Sequence, residues 1–338
     1  MATFTDLSGN QQKLFVDIEQ VYGAYLDAAK QLHRYPGWML WKKVSGKEYL
    51  FHAFDRSGGT GKGLGRRSPE TESQKSQFDA EKQRLADLID GFKERLKEYS
   101  IATRAYRLRR LPTTAAKIVR EIDDRELLGS SLIVVGTNAL FAYEAAAGCQ
   151  FFPDYTATRD LDLLWEARQS IELGARDRIE PDGFLGLLKS IDKTFTRNEE
   201  LTFQAVNRDA YLVDLLKPIG AQTDRMTSAD KIDPMELEGQ QWLLDCERFE
   251  QTVIADDGYP ARIICPDPRI FVLHKFWMSE LRNRKPPKAR RDKLQAQAVK
   301  ELLDARFPHL HFGDIEKHLP KALANYLKVA KAARGIRS

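Results

Sequence analysis

The sequence has few cysteines, no long apolar run and little net charge. Its 338 residues include three cysteines, Cys149, Cys246 and Cys265, which stand far apart. Their odd number and wide spacing match neither a disulfide framework nor a metal-ligand pattern. We therefore expect three reduced thiols in a cytoplasmic protein.

The sequence also has no segment suited to a membrane or to secretion. The longest apolar candidate, Leu132 to Ala147, is broken by Gly136 and several polar residues, and it is too short for a membrane span. The N-terminus has no basic stretch followed by an apolar one, so we expect no secretory signal. With 42% hydrophobic and 30% charged residues, the composition is typical of a soluble globular protein with a sizeable core.

The net charge of +4 is small, but the basic residues cluster. Between residues 282 and 293 only Asp292 is acidic, whereas seven residues are basic. A second cluster lies between residues 104 and 110. Such patches suit polyphosphate or a nucleic-acid backbone, although a solvated helix surface explains either cluster about equally well. The clustered residues are Arg282, Arg284, Lys285, Lys288, Arg290, Arg291 and Lys293, then Arg104, Arg107, Arg109 and Arg110.

The first 125 residues are expected to be mostly helical with one β-hairpin. Apolar spacing predicts a helix from Gln11 to Leu32, and Ser45-Gly46-Lys47 reads as a hairpin turn. Residues 56–67 read as a mobile, basic, glycine-rich loop. Its Lys62 does not belong to a Walker A motif, because the glycine spacing is wrong and no Ser or Thr follows the lysine. A long charged helix is expected to start at Ser68-Pro69.

From Ser130 onward, strands and helices alternate. This alternation, with hairpins, predicts an α/β or α+β core between helical segments. The expected strands are 132–135, 158–165, 203–206, 211–216, 252–255 and 262–265, and the expected helices are 138–147, 184–191 and most of the chain after 267.

Two aspartates in one predicted strand carry the main chemical signal. Asp160 and Asp162 alternate with Leu161 and Leu163, so both carboxylates should lie on one face of the strand. Neighbouring carboxylates repel each other, and a cation relieves that repulsion. Oxygen ligands favour Mg²⁺ or Mn²⁺, and two such ions can serve phosphoryl displacement.

Two further features fit polyphosphate and metal binding. Gly136-Thr137 follows a strand and opens a helix, so the backbone N–H groups and the Thr137 hydroxyl could bind phosphate. Asp214 interrupts an apolar strand, where a charge is costly unless it is used, and we expect it to be the third carboxylate. Asp209 is more readily a turn residue.

These stretches resemble the polymerase β-like nucleotidyltransferases. That superfamily has a strand ending in Gly-Gly or Gly-Ser, a helix, then Asp-x-Asp and a later strand aspartate. Residues 135–144, Val-Gly-Thr-Asn-Ala-Leu-Phe-Ala-Tyr-Glu, and 157–164, Ala-Thr-Arg-Asp-Leu-Asp-Leu-Leu, look like a bacterial branch of it. Thr137 departs from the usual residue, and the long gap to Asp160 implies an insertion around Cys149 to Tyr155.

The resemblance implies a fold, a domain division and a metal site. It implies a helical N-terminal region with the hairpin and glycine-rich loop at 1–125, a nucleotidyltransferase core at 126–266, and a helical C-terminal region at 267–338. It also implies that Asp160, Asp162 and Asp214 hold the metal.

Three further residues have candidate roles. The segment around Lys275 is distantly similar to a helix of abortive-infection nucleotidyltransferase toxins that places a lysine near the triphosphate. Arg159 either contributes to the nucleotide site or is exposed. His274 is more readily a packed histidine than a base.

The expected function is Mg²⁺- or Mn²⁺-dependent transfer of a nucleoside monophosphate from an NTP, such as ATP, to a hydroxyl. The basic patches favour an RNA 3′ end, with tRNA among the candidates. A protein side chain, as in AMPylation, is the second choice. A non-catalytic RNA- or partner-binding protein on the same fold is the alternative from a different class. No membrane partner is expected.

Overall fold

The computed structural model describes residues 3–55, 59–166, 183–221, 232–316, 319 and 323–328. Two compact units divide the chain. The smaller unit comprises residues 13–107, and the larger unit comprises residues 1–12 and 108–338.

A three-stranded antiparallel sheet and two helices make up the smaller unit. The elements up to residue 107 are β1 (Phe4–Asp6), α1 (Gly9–Leu32), β2 (Trp38–Val44), β3 (Lys47–Ala53), β4 (Gly61–Arg66) and α2 (Pro69–Ala105). The first strand and the start of α1 belong to the larger unit. The predicted helix to Leu32 and the predicted hairpin are confirmed.

The hairpin closes through a two-residue turn at Ser45 and Gly46. Both have positive φ, 49° and 76°, as a type I′ turn requires. Val44 therefore pairs with Lys47, and the register continues to Trp38 opposite Ala53.

The prediction of a glycine-rich loop at residues 56–67 is wrong for Gly61 to Arg66, which form β4 against β3. Glycine is usually depleted in strands, so the composition favoured a loop. Here the glycine permits close approach, since a Cβ on Gly61 would lie 2.1 Å from the carbonyl oxygen of His52. Residues 56–58 lie outside the described part.

The long helix α2 begins as the sequence predicts. Ser68 caps it, and Ser68 and Thr71 bond reciprocally in a capping box, with Pro69 in the first turn. Phe78 of α2 packs against His52 of the sheet, with ring centroids 5.2 Å apart.

The larger unit contains the alternating strands and helices. Its elements after residue 107 are α3 (Thr113–Asp124), β5 (Leu132–Val135), α4 (Ala139–Ala146), β6 (Cys149–Phe151), α5 (Pro153–Thr156), β7 (Asp160–Trp165), α6 (Gly183–Ile191), β8 (Thr196–Arg197), β9 (Gln204–Val206), β10 (Leu212–Pro218), β11 (Met235–Leu237), α7 (Gln240–Leu244), β12 (Arg248–Ile254), β13 (Pro260–Pro266), α8 (Pro268–Glu280), α9 (Pro286–Arg306) and α10 (Phe312–Glu316). The residues expected to form an insertion are β6, which pairs with β1, and the start of α5.

A six-stranded mixed sheet organises this unit. Its order is β5-β7-β10-β9-β8, and β11 also pairs with β10. Strand β7 runs antiparallel to β5 and parallel to β10. Strand β9 covers the first half of the other edge of β10, and β11 covers the second half. The predicted hairpin at the end of the core is β12 and β13.

The larger unit has one hydrophobic core. Its buried residues range in the sequence from Leu111, just before α3, to Leu327. Alternate residues of β7 and β10 enter it. The mixed α/β class is therefore confirmed. Within the described ranges, no helix combines the length and apolarity that a membrane crossing needs. All three cysteines are free thiols.

His274 on α8 is a packed residue, as the sequence favours. It is 6% exposed and lies beside Trp242 and Trp277, with ring centroids 6.3 Å and 5.9 Å away. Its Nε2 atom has no hydrogen-bond partner among the described residues. Burial, with the positive charge of Lys275 beside it, lowers the pKa of His274 from 6.5 to about 3.

Acid should therefore destabilise the protein through His274. The unfolded chain binds a proton near pH 6.5 and the folded chain only near 3, so the free energy of unfolding falls as pH drops between these values. The slope from this group is at most about 1.4 kcal/mol per pH unit. Urea unfolding from pH 7.5 to 4.5 should show a shallower fall for His274→Leu. The control is His311→Leu at an exposed site; equal slopes for wild type and His274→Leu would contradict the prediction.

Candidate active site

Three carboxylates lie on one face of two adjacent strands. Asp162 of β7 pairs directly with Asp214 of the parallel strand β10, and Asp160 lies two residues before Asp162. All three are half-buried. The residues that alternate with them, such as Leu161 and Val213, are fully buried on the opposite face. Alternation along each strand and the parallel register together place the acids side by side.

The clustering changes the protonation of these groups. Burial, followed by the charges of Asp160 and Asp214, raises the pKa of Asp162 to about 7 against the opposing effect of Lys275 and Lys288. Burial also raises the pKa of Asp214, although a hydrogen bond from Gln204 lowers it. The face therefore holds more negative charge than its surroundings stabilise, which is the condition a cation relieves.

Two of the carboxylates have fixed hydrogen-bond donors. The Thr158 hydroxyl donates to Oδ1 of Asp160. The buried side chain of Gln204, on β9 opposite Asp214, donates from Nε2 to Oδ1 of Asp214 at 2.7 Å. Each carboxylate thus has one oxygen engaged, and its orientation on the sheet is set by a neighbour.

The position of Asp162 requires a glycine at residue 136. It has φ of +66°, and a Cβ at this residue would lie 2.1 Å from Oδ2 of Asp162. The preceding residue, Val135, pairs with Asp162 across β5 and β7. The glycine therefore lets the turn after β5 pass directly beside the acidic face.

The turn formed by residues 136–138 is tied to helix α9. The Thr137 hydroxyl accepts hydrogen bonds from Arg291 at 3.2 Å and from Gln295 at 3.1 Å. Gln295 also donates to the Tyr155 carbonyl at 2.9 Å, and Arg291 donates to the Ala157 carbonyl. Because the hydroxyl oxygen accepts two bonds, its own proton is left to donate elsewhere.

Asn138 completes the link between the turn and β7. It is fully buried and donates from Nδ2 to the Asp160 carbonyl at 2.8 Å. The Tyr211 hydroxyl donates to the same carbonyl at 3.2 Å. Burial, followed by the charges of Asp160 and Asp162, raises the pKa of Tyr211, so this phenol stays a donor.

Lys275 lies near the acids but is bound to Asp292. Its Nζ atom is 2.8 Å from Oδ1 of Asp292, and Arg284 binds the other carboxylate oxygen at 2.7 Å. Asp292 is 2% exposed, so a buried anion here binds two partly buried cations. The charge of Lys275 still lowers the pKa of Asp162, and so does exposed Lys288.

Arg159 and the second arginine cluster contribute differently. Arg159 is directed to the hairpin turn, where it donates to the Asp209 carbonyl at 2.9 Å. Arg110 is part of the interior, since it binds both carboxylate oxygens of buried Glu144 at 2.7 and 2.9 Å. Arg110 is thus a structural residue and not part of an open phosphate surface.

The donor set suits a hard divalent cation. The three aspartates offer only oxygen ligands, as Mg²⁺ and Mn²⁺ prefer. Within the described residues, however, no three acidic, histidine or cysteine side chains already converge to hold one ion.

Several contributors to the site were not singled out from the sequence. Gln204 could be found only if the register of the β9–β10 hairpin were known. Gln295 carries no local signal, since it lies 158 residues from Thr137 along the chain. Lys288 was visible only as a member of a basic cluster, whereas Arg291, with Arg290 and Lys293, was a sequence candidate for extending the phosphate or acceptor-binding surface.

Comparison with known proteins gives one match. A family model described as nucleotidyltransferase matches residues 113–319, more than half of the chain. The match includes Gly136, the three aspartates and α9. No curated protein and no solved structure matched the chain.

Substitution of Gly136 should be costly because of Asp162. Gly136→Ala should destabilise the protein by roughly 1–2 kcal/mol for the positive φ and by a further 1–3 kcal/mol or so for the clash. Gly148→Ala is the matched control, since Gly148 has φ of +63° but its Cβ would meet nothing closer than 3.7 Å.

A double-mutant cycle read by urea unfolding separates the two contributions. In an Asp162→Ala background, the cost of Gly136→Ala should fall to that of Gly148→Ala. An unchanged cost in that background would show that Asp162 is not the obstacle.

Proposed function

Since the chain belongs to a nucleotidyltransferase family, we propose that it transfers a nucleoside monophosphate from an NTP to a hydroxyl of RNA, with release of pyrophosphate. The observation that carries this proposal is the acidic face formed by Asp160, Asp162 and Asp214 beside the Gly136 turn. The resemblance to polymerase β-like enzymes supports the same assignment.

The acidic face is the proposed site for Mg²⁺ or Mn²⁺. Asp160 and Asp162 would hold the cation, and Asp214 would complete the ligand set. When bound, such a cation supplies positive charge to the phosphate oxygens and lowers the barrier to displacement. The raised pKa of Asp162 supports this role, since burial and the neighbouring carboxylates leave its negative charge poorly stabilised.

The turn and α9 are the proposed binding site for the triphosphate. The Thr137 hydroxyl, with both acceptor positions occupied by Arg291 and Gln295, can donate to a phosphate oxygen. Lys275 and Lys288 add positive charge close to the acids. Fixed donors and charges of this kind stabilise the charge that develops during phosphoryl transfer without having to reorganise.

The proposed reaction is a single in-line displacement. The acceptor hydroxyl oxygen forms a bond to the α-phosphorus, and the bond from the α-phosphorus to the bridging oxygen of pyrophosphate breaks. The hydroxyl proton passes to Oδ2 of Asp214, the oxygen not engaged by Gln204.

The proposed acceptor is RNA because the basic residues of α9 and its approach remain largely exposed. Arg282, Lys285 and Arg290 are exposed and bind no acidic side chain in the described part of the chain. Exposed cations suit a phosphate backbone. A protein acceptor is the competing outcome of the experiment below.

Removing one acidic side chain should abolish transfer. Asp162→Asn should lower the rate of label transfer from α-labelled NTPs to total RNA by about 100-fold or more, because a charge-stabilising ligand is lost. Asp209→Asn is the matched control, as Asp209 lies in the adjacent hairpin turn and its side chain is 72% exposed.

Loss of transfer in both variants would separate the activity from the acidic face. Transfer to protein instead of RNA in a lysate would reassign the acceptor. Salt-sensitive RNA binding without any transfer by wild type would favour a non-catalytic binding protein.

Cation binding should be visible without any substrate. Millimolar Mg²⁺ or Mn²⁺ should raise the Tm of wild type, because a ligand that binds only the folded state stabilises it. Asp162→Asn should lose this shift while its Tm without cation stays at or above that of wild type, since a poorly stabilised charge has been removed. An equal shift in both proteins would place the cation elsewhere.

A further inference from the structure

A second concentration of positive charge, besides residues 282–293, lies in the sheet region of the smaller unit. Residues 38–67 contain seven Lys or Arg and two acidic residues, a net +5, whereas the whole chain carries +4. A local excess of this size attracts polyanions even where the net charge is small.

Part of this charge lines an open groove at the tip of the β2–β3 hairpin. The groove has a volume of about 610 Å³ and is bounded by the end of β4 and the start of α2. We call it the basic groove. The charged residues that line it are Lys43, Lys47, Glu48, Arg66, Arg67 and Glu72.

The ion pairs within the groove leave three cations uncompensated. Both acids bind Arg67, with Glu48 and Glu72 each 2.7 Å from its guanidinium nitrogens. Lys43, Lys47 and Arg66 are exposed, and none of them pairs with an acidic side chain of the described chain. The groove therefore presents net positive charge to solvent at the tip of the hairpin.

The lining favours a phosphate backbone over a protein surface. Protein interfaces rely on buried aromatic or aliphatic anchors. Among its described lining residues the groove offers no aromatic or large aliphatic side chain. Lysines provide point charges for phosphate, and an arginine adds paired donors.

We propose that the basic groove binds the phosphodiester backbone of RNA and holds the body of the acceptor. This inference rests on the proposed function for its biological role, but the binding itself requires no catalysis. Lys43, Lys47 and Arg66 make the phosphate contacts, and Arg67, fixed by its two glutamates, keeps the groove open.

Two variants with the same change in charge test this proposal in the full chain. The groove variant is Lys43→Gln/Lys47→Gln/Arg66→Gln. The control variant, Arg84→Gln/Lys93→Gln/Lys97→Gln, removes three positive charges from α2 of the same unit, where each is paired with an acid. Unchanged thermal melts should show that both variants are folded.

Binding of a fluorescent single-stranded RNA, about 24 nucleotides long, is measured by anisotropy from 50 to 200 mM salt. The groove variant should bind about tenfold or more weakly than wild type. Its slope of log K against log salt should be shallower by roughly 2, since each single-strand phosphate contact contributes about 0.7. The control variant should stay within twofold.

Other outcomes would overturn the proposal. Equal weakening by both variants would mean that binding follows net charge alone, and no weakening by the groove variant would place RNA elsewhere. Competition by free ATP as effective as that by RNA would assign the groove to a small phosphate ligand. Tighter, groove-dependent binding of polyglutamate would assign it to an acidic protein segment.

Failure of this inference can be told apart from failure of the proposed function. If Asp162→Asn abolishes transfer but the groove variant transfers to RNA with unchanged KM, the groove proposal is lost and the function stands. If wild type binds RNA through the groove but transfers nothing, the groove stands and the proposed activity is lost.

Discussion

The parallel pairing of β7 with β10 is the constraint on which the site depends. It places Asp162 directly beside Asp214, with Asp160 on the same face, in a setting that stabilises negative charge poorly. The opposite face of both strands is fully buried, so the acids cannot turn away without exposing the core. The strand pairing therefore holds the three carboxylates near one another, and a local rearrangement cannot relieve the repulsion between them.

The neighbouring elements are explained by this concentration of charge. Position 136 requires a glycine because Asp162 occupies the space that a side chain would need. The buried side chain of Gln204 orients Asp214 through a hydrogen bond. Asp292, the lone acid of the basic segment 282–293, binds Arg284 of that segment and Lys275 of α8. The positive charge of Lys275 in turn acts on Asp162.

Much of the fold and part of the site could be predicted from local pattern. The alternation of aspartate and leucine in β7 indicated which side chains share a face, and the hairpin signals located the pairs of strands. Pairing partners could not be predicted in the same way. Gln204 faces Asp214 only because the turn between β9 and β10 sets that register.

Contacts between residues far apart in the sequence were even harder to predict. Gln295 supports Thr137 from an otherwise ordinary helix, and nothing within either segment indicates the other. The prediction of a loop at the glycines of β4 failed for a different reason. Their spacing suggests freedom of the backbone, whereas Gly61 is needed because a strand and the ring of Phe51 approach it closely.

The tie between Thr137 and α9 has a consequence for biosynthesis. Arg291 and Gln295 follow Thr137 by 154 and 158 residues. The ribosome therefore synthesises the three aspartates before helix α9, whose side chains bind the turn at residues 136–138. A nascent chain that ends before α9 contains all three aspartates but lacks the hydrogen bonds that Arg291 and Gln295 donate to Thr137. The hydrogen bonds that hold the Thr137 turn therefore form only after translation has passed Gln295.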